Sequence, residues 1–196
     1  MAQPDVEKAA FRTHARNQRV AISKEQRKVA SELACKHLMR SNLWASISSI
    51  ALYAAYGSEI DPLPLEQEAT SSGKRIFYPR VTGDKLEFAE SNYSDLTKGF
   101  AAIFEPTGPP VALRDIDLVI VPGLAFGPQG QRLGSGRGFY DRSLNGDVLT
   151  IGMAFHQQIS SQVPTLPHDV RMQGILTDKG FTLEPSIKAD SGLHSE

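Results

Sequence analysis

The 196-residue chain is 40% hydrophobic, 22% charged and 8% aromatic, the composition of an ordinary globular protein long enough to bury one sizeable core. A formal net charge of −1 argues against a globally basic nucleic-acid binder, while leaving room for a local basic patch. Cys35 is the only cysteine, which excludes an intrachain disulfide and a cysteine-based zinc cluster. The N-terminus lacks a charged-then-apolar signal pattern and no apolar run approaches the ~20 residues that span a bilayer, so a cytoplasmic protein without a membrane partner is expected.

In chain order, residues 6–20 favour helix. Lys8, Arg12, Arg16 and Arg19 recur at i, i+4, i+8 and i+11, which places them on one face. No carboxylate occurs between Lys8 and Lys24, so the stripe holds no partner of its own. Like charges one turn apart repel by about a few tenths of a kcal/mol, and an anionic ligand relieves that. For Arg16 and Arg19 a solvated face is the favoured reading. Ser23-Lys24-Glu25-Gln26 is a capping box that predicts a second helix to about residue 40. Its expected buried face is Ala30, Leu33, Ala34, His37 and Leu38. Glu25 and Glu32 dilute its basic character, so it reads as scaffold. Cys35, His37 and Trp44 are expected to pack.

Residues 49–54 (SIALYA) read as a short strand. The loop 55–62 leads into a helix to about residue 71, and Glu59 and Asp61 sit where acidic side chains could simply complement its dipole. Gly73-Lys74 is a stop, residues 75–78 a strand ended by Pro79, and residues 85–89 an alternating, half-exposed strand. Residues 93–99 suggest a turn or short helix. Three prolines between 105 and 110 exclude a helix there and mark a linking arm.

Residues 118–144 carry the most information. Leu118, Val119, Ile120 and Val121, closed by Pro122-Gly123, have the continuous apolar pattern of a strand buried on both faces. A loop with Gly127, Gly130, Arg132, Gly134, Gly136, Arg137 and Gly138 follows, and Phe139-Tyr140-Asp141-Arg142 could resume helix. Glycine lets backbone N–H groups approach a ligand, arginine adds forked cationic donors, and a helix start favours anions; together they suggest a phosphate site. Gly134-x-Gly136-x-Gly138 is neither a Walker A loop nor the dinucleotide fingerprint. The weight comes from Arg132, Arg137 and Arg142, crowded with one aspartate into eleven residues, more cations than a mobile surface loop needs.

Residues 149–155 read as another buried strand, residues 159–169 as a loop with Pro164, Pro167, His168 and Asp169, and residues 174–177 as a short strand. The polar tail, residues 186–196, is expected to be disordered. Alternating strands and helices predict a single α/β domain over residues 1–185: a mostly parallel sheet flanked by helices, with an N-terminal helical segment. In such sheets ligands bind beyond the strand C-termini, where the glycine–arginine loop, Gln157 and the His168-Asp169 loop could converge.

In joint order and spacing these pieces resemble the 5-formyltetrahydrofolate cyclo-ligase family, also called 5,10-methenyltetrahydrofolate synthetase, over residues 8–177. The most specific piece is VPGLAFGPQGQRLGSGRGFYDRSL, residues 121–144. Lys8-x-x-x-Arg12, Tyr53 with Glu59-Ile60-Asp61, Tyr78-Pro79-Arg80, Phe104-Glu105-Pro106, and IGMAFHQQ followed by LPHD support it. The resemblance implies an ATP- and Mg²⁺-dependent conversion of 5-formyltetrahydrofolate to 5,10-methenyltetrahydrofolate, ADP and phosphate. The formyl oxygen would be phosphorylated and displaced by N10.

By the same resemblance, Lys8, Arg12 and the run Arg132, Leu133, Gly134, Ser135, Gly136, Arg137, Gly138, Phe139 and Tyr140 would bind ATP, with Arg132 and Tyr140 catalytic. Arg12, Ala54, Glu59, Ser135, Gly136, Arg137, Gly138 and Phe139 would contact the folate, and Asp141 and Asp169 would hold Mg²⁺. From the residues alone, those two aspartates read as a helix cap or a loop turn, and His168 as a residue that orients its loop. The family commonly has Tyr-Tyr where this chain has Phe139-Tyr140. A monomer acting on small molecules is expected. Two alternatives stay open: a non-catalytic nucleotide- or RNA-binding module using the basic first helix, and a family-like fold with a different ATP-dependent or regulatory role.

Overall fold

A computed structural model describes residues 3–144, 146, 148–167 and 169–183; the expectations for His168 and for the tail lie outside these residues. The chain opens with α1 (Gln3–Ala21) and α2 (Lys24–Met39). The capping box predicted for α2 forms in both directions: Gln26 N donates to Ser23 Oγ at 3.2 Å, and Ser23 N donates to Gln26 Oε1 at 3.0 Å. Two orphan donors of the first turn are thereby satisfied. The buried stripe of α2 is Ser31, Ala34, Cys35 and Leu38, rotated from the predicted face, and Leu33 is 41% exposed. Small residues face inward because the loop ahead of the next long helix packs against them. Asp61 N donates to Ser31 Oγ at 2.9 Å, and Cys35 Sγ lies 3.8 Å from Asp61 O.

The remaining elements are α3 (Asn42–Ser46), β1 (Ser49–Ala51), α4 (Leu63–Ser71), β2 (Arg75–Thr82), β3 (Lys85–Glu90), β4 (Thr97–Lys98), β5 (Phe104–Glu105), β6 (Pro110–Val111), β7 (Leu118–Pro122), β8 (Ala125–Phe126), β9 (Arg132–Leu133), α5 (Phe139–Ser143), β10 (Leu149–Met153), β11 (Gly174–Thr177) and β12 (Gly180–Leu183). Eight strands form one sheet in the order β12-β11-β10-β7-β1-β2-β3-β6. The five central strands, β11 to β2, run parallel, and β12, β3 and β6 add antiparallel margins. The predicted α/β class and mostly parallel sheet hold.

Both faces of the sheet are covered. Along β7, Leu118 and Ile120 join one core with Trp44, Leu38 and Leu65, while Val119 and Val121 join another with Phe77, Phe126 and Leu144. That is the period of two expected of a strand, and burying each such side chain stabilises by roughly 1.5–3 kcal/mol.

Two strands differ from expectation. β1 stops at Ala51; Leu52 N still donates to Phe77 O of β2 at 2.8 Å, and the chain then runs through Tyr53 and Ala54, still buried, toward the site. β2 continues through Pro79 to Thr82, because β1 pairs only with residues up to Phe77 while β3 follows β2 to its end. Beyond Phe77 one side of β2 is therefore an edge, where a proline is tolerated.

Candidate active site

One cleft of about 1300 Å³ opens beyond the C-terminal ends of β1 and β7, beside the free edge of β2. The basic stripe of α1 runs along it: Lys8, Arg12, Arg16 and Arg19 all line the cleft. Packing explains why α1 presents this face. Ala15 is buried with Leu124, Ala125, Leu133 and Val163, and Phe11 packs beside them, seating the helix on the β8–β9 hairpin. A small residue at position 15 permits the close approach. The partners absent from the stripe itself come from distant segments. Lys8 Nζ meets Asp169 Oδ2 at 2.5 Å, and Arg12 Nε donates to Gly134 O at 3.2 Å.

Arg19 departs from expectation: it is not on a solvated face. Its side chain is 11% exposed, and Nη1 stands 3.5 Å from Glu59 Oε1. With Lys8 and Arg19 turned inward, the outward basic surface that an RNA-binding α1 requires is depleted.

The glycine–arginine stretch is more ordered than an open loop. The two-residue strands β8 and β9 pair within it, so Leu133 is fully buried and Arg132 is 5% exposed. Arg132 Nη2 donates to Asp141 Oδ1 at 2.9 Å and Nη1 to Pro122 O at 3.4 Å, and the guanidinium lies 5.4 Å over the Tyr140 ring. The buried Nε of Arg132 has no acceptor among the described residues. An N–H left open beside the cleft is one that a ligand oxygen can satisfy. Gly136 and Gly138 have φ of 104° and 67°, backbone that L side chains rarely adopt, and a side chain at Gly136 would meet the Arg12 guanidinium. Ser135, Gly136 and Arg137 form an exposed rim.

Asp141 and Asp169 are bridged through backbone: Asp141 Oδ1 also accepts from Val170 N at 3.3 Å, and Asp169 Oδ2 accepts from Leu166 N at 2.6 Å. No group of three or more His, Cys, Asp or Glu side chains suited to a metal exists among the described residues. Asp141 and Asp169 put two carboxylates beside the glycine–arginine loop, a donor set of the kind magnesium takes when phosphate oxygens and water complete its shell.

Glu59 stands elsewhere in the cleft. Tyr56 N donates to its Oε2 at 3.0 Å, so this carboxylate turns back into its own loop and does not serve the start of α4. Asp61 takes that task, accepting from Leu63 N at 3.0 Å. Burial pushes the Glu59 carboxyl above its ordinary range, opposed by the Tyr56 N–H and by Arg19. Tyr140 is also pushed up by burial, with Arg132 opposing and Glu59 adding, so its phenol stays protonated at neutral pH. Ala54 is buried on the cleft wall.

Phe100, Ala101 and Ile103 carried no signal in the sequence, and Phe104-Glu105 stood there only as a motif of the resemblance. These residues reach the cleft from the strap that follows β4 and from β5 itself. Gln157 is exposed; its neighbour Gln158 is the buried one, donating to Gly123 O at 3.0 Å and Leu124 O at 2.9 Å. Neither glutamine is among the residues that line the cleft, and which of two adjacent residues faces inward depends on the turn's tertiary seat.

A model of the 5-formyltetrahydrofolate cyclo-ligase family matches residues 4–178. This chain belongs to that family. It is 27% identical to the 5-formyltetrahydrofolate cyclo-ligase of Escherichia coli K12 over 176 residues, covering 83% of this chain and 95% of that protein. The Mycolicibacterium smegmatis cyclo-ligase is 30% identical over 151 residues, covering 71% and 78%. The NMR structure of Aquifex aeolicus 5,10-methenyltetrahydrofolate synthetase superposes with a TM-score of 0.79 at 28% identity and 96% coverage of both chains.

The aromatic pair of the glycine–arginine loop is Phe139-Tyr140 in this chain. Here the Phe139 ring meets Phe100 edge-on, with centroids 5.6 Å apart at 87°, a contact that needs no hydroxyl. No helix among the described residues is long and apolar enough to cross a membrane.

Proposed function

We propose that this chain catalyses the ATP-dependent closure of 5-formyltetrahydrofolate to 5,10-methenyltetrahydrofolate, with release of ADP and phosphate. The observation that carries this function is a single cleft in which the cationic face of α1, the glycine–arginine loop, two aspartates and the half-buried Glu59 meet. At about 1300 Å³ it exceeds the roughly 300–1,000 Å³ of a pocket for one small ligand, as a reaction of two substrates requires.

Lys8, Arg12 and the backbone of residues 132–140 bind the triphosphate, and the open Nε of Arg132 supplies a buried donor to it. Arg12, Ala54, Glu59 and the rim at Ser135, Gly136, Arg137, Gly138 and Phe139 hold the folate, Glu59 accepting from the N–H edge of the pterin. Asp141 and Asp169 would hold Mg²⁺, which when bound neutralises charge on the phosphates.

The formyl oxygen of the substrate attacks the γ-phosphorus and ADP departs. An amide oxygen is a poor leaving group, and phosphorylation makes it a good one. N10 then attacks the same carbon, the C–O bond breaks, and phosphate leaves as the N10 proton is lost, giving the methenyl bridge. Phosphoryl transfer asks mainly for positioning and charge stabilisation. Arg132 supplies positive charge to the transferring group, and Tyr140, held as a neutral phenol, donates a hydrogen bond to it. The chain works as a monomer in the cytoplasm, without nucleic acid.

Incubation with 5-formyltetrahydrofolate and Mg-ATP, followed by the absorbance of the methenyl product, is the direct test. Turnover dependent on both substrates is expected; no product at ample enzyme overturns the proposal.

A further inference from the structure

Arg19 lies near the end of α1 and joins three segments. Its Nε donates to Ser58 Oγ at 3.1 Å, its Nη1 to Gly123 O at 3.5 Å, and the same Nη1 stands 3.5 Å from Glu59 Oε1. Gly123 O is itself held by the buried Gln158 side chain at 3.0 Å. One end of the contact is thus anchored to the loop that follows β7. The two Glu59 oxygens are divided between two donors: Oε2 accepts from Tyr56 N at 3.0 Å, and Oε1 faces Arg19.

We propose that Arg19 is a positioning residue for folate recognition, fixing the orientation of the Glu59 carboxylate and keeping it an anion. This role rests on the folate assignment made above. A pterin edge offers two N–H donors side by side. An ionised carboxylate accepts both, whereas a protonated one sets a donor against a donor.

The groups facing Glu59 leave the charge to Arg19. Tyr53, just beyond β1, and Tyr140 from α5 are phenols that burial keeps protonated, so neither supplies positive charge. Among the described residues Arg19 is the only cation within ion-pair distance of Glu59. Burial raises the Glu59 carboxyl, and the Tyr56 N–H and Arg19 oppose it. Without Arg19, burial has only the backbone donor against it, and Glu59 takes up a proton at higher pH. A lysine in its place returns the charge but not the planar fork that reaches Ser58, Gly123 and Glu59 together.

The experiment uses the full chain with Arg19→Met and Arg19→Lys. Glu59 is titrated by ¹³C NMR of labelled glutamate carboxyls, assigned through Glu59→Gln, with no substrate present. The KM and kcat for 5-formyltetrahydrofolate and the KM for ATP are followed across the acid and neutral range. In Arg19→Met, Glu59 titrates at higher pH than in wild type. The folate KM rises by about tenfold at neutral pH and further as pH falls, while kcat and the ATP KM stay within about twofold. In Arg19→Lys the Glu59 titration returns toward wild type and the folate KM recovers only in part. A Glu59 titration that does not move in Arg19→Met overturns the proposal, as does a folate KM raised equally at every pH. Thermal melting identifies a variant that fails to fold. If Arg19→Met does so, Arg19→Lys decides: a raised folate KM with an unmoved Glu59 titration supports the role, and a wild-type KM overturns it. Absence of methenyl product from wild type would sink the catalytic assignment, while the NMR titration still judges the Arg19–Glu59 coupling.

Discussion

Lys8 Nζ and Asp169 Oδ2 stand 2.5 Å apart across 161 residues of chain, at 6% and 11% side-chain exposure. This pair ties α1 to the loop before β11 at the edge of the glycine–arginine loop. Removing one member leaves the other charge in a largely dry site, which costs about 3 kcal/mol or more for a buried pair. Lys8→Met is expected to lower unfolding stability by an amount of that order and to raise the ATP KM by about tenfold or more. Lys8→Met with Asp169→Asn should cost less stability than the sum of the two single changes. Urea unfolding and steady-state kinetics on the three variants check this; additive losses would refute the coupling.

Arg132 and Asp141 form the second tie, at 2.9 Å. Arg132→Ala and Asp141→Ala are each expected to abolish turnover while circular dichroism keeps the wild-type spectrum. Chelation of divalent ions should stop turnover and added Mg²⁺ restore it. Wild-type rates in both variants would remove these residues from the site.

Cys35 provides a pH test away from the cleft. Burial, the largest influence, pushes its thiol from 9.0 up to about 12. The unfolded thiol ionises first as pH rises, so the thiol's contribution is fully present below about pH 9 and is lost between about pH 9 and 12. Over that window it removes about 1.4 kcal/mol per pH unit. Cys35→Ala should therefore flatten the alkaline limb of the stability–pH curve relative to wild type, and a thiol reagent should label Cys35 only upon unfolding. Equal slopes in the two proteins would count against the shift.

Gly152 lies in β10 beneath the ring of Phe126, where an added Cβ would overlap the ring carbons. Phe126 is fully buried, so the ring has little room to yield. Gly152→Ala is expected to cost about 1–3 kcal/mol by overpacking, and Phe126→Leu in the same chain should return part of it. Chemical denaturation of the single and double variants measures this.

Where a signal is contained within a few residues, it was legible. Ser23 and Gln26 are three positions apart, and their reciprocal capping follows from that spacing alone. The unbroken apolar run from Leu118 to Val121 states that both faces of β7 are covered. The four cations of α1 fall on one face by helical geometry, and all four do line the cleft. The partners were not legible. Asp169 and Glu59 lie far along the chain, and only the sheet order brings them to α1. The same holds for the strap carrying Phe100, whose seat against Phe139 is set by the β4–β5 pairing.

By itself the sequence determined the strand and helix types, the crowding of glycine and arginine into residues 118–144, and the family through the joint order of its motifs. Helical period, strand alternation and capping act over one to four residues, so composition suffices to specify them. Tertiary structure alone decided which cations are buried, that Gln158 and not Gln157 is enclosed, that β2 passes through Pro79, and which face of α2 turns inward. Each depends on which neighbour supplies the missing hydrogen bond or volume, and neighbours in space are chosen by the crossovers of the whole sheet.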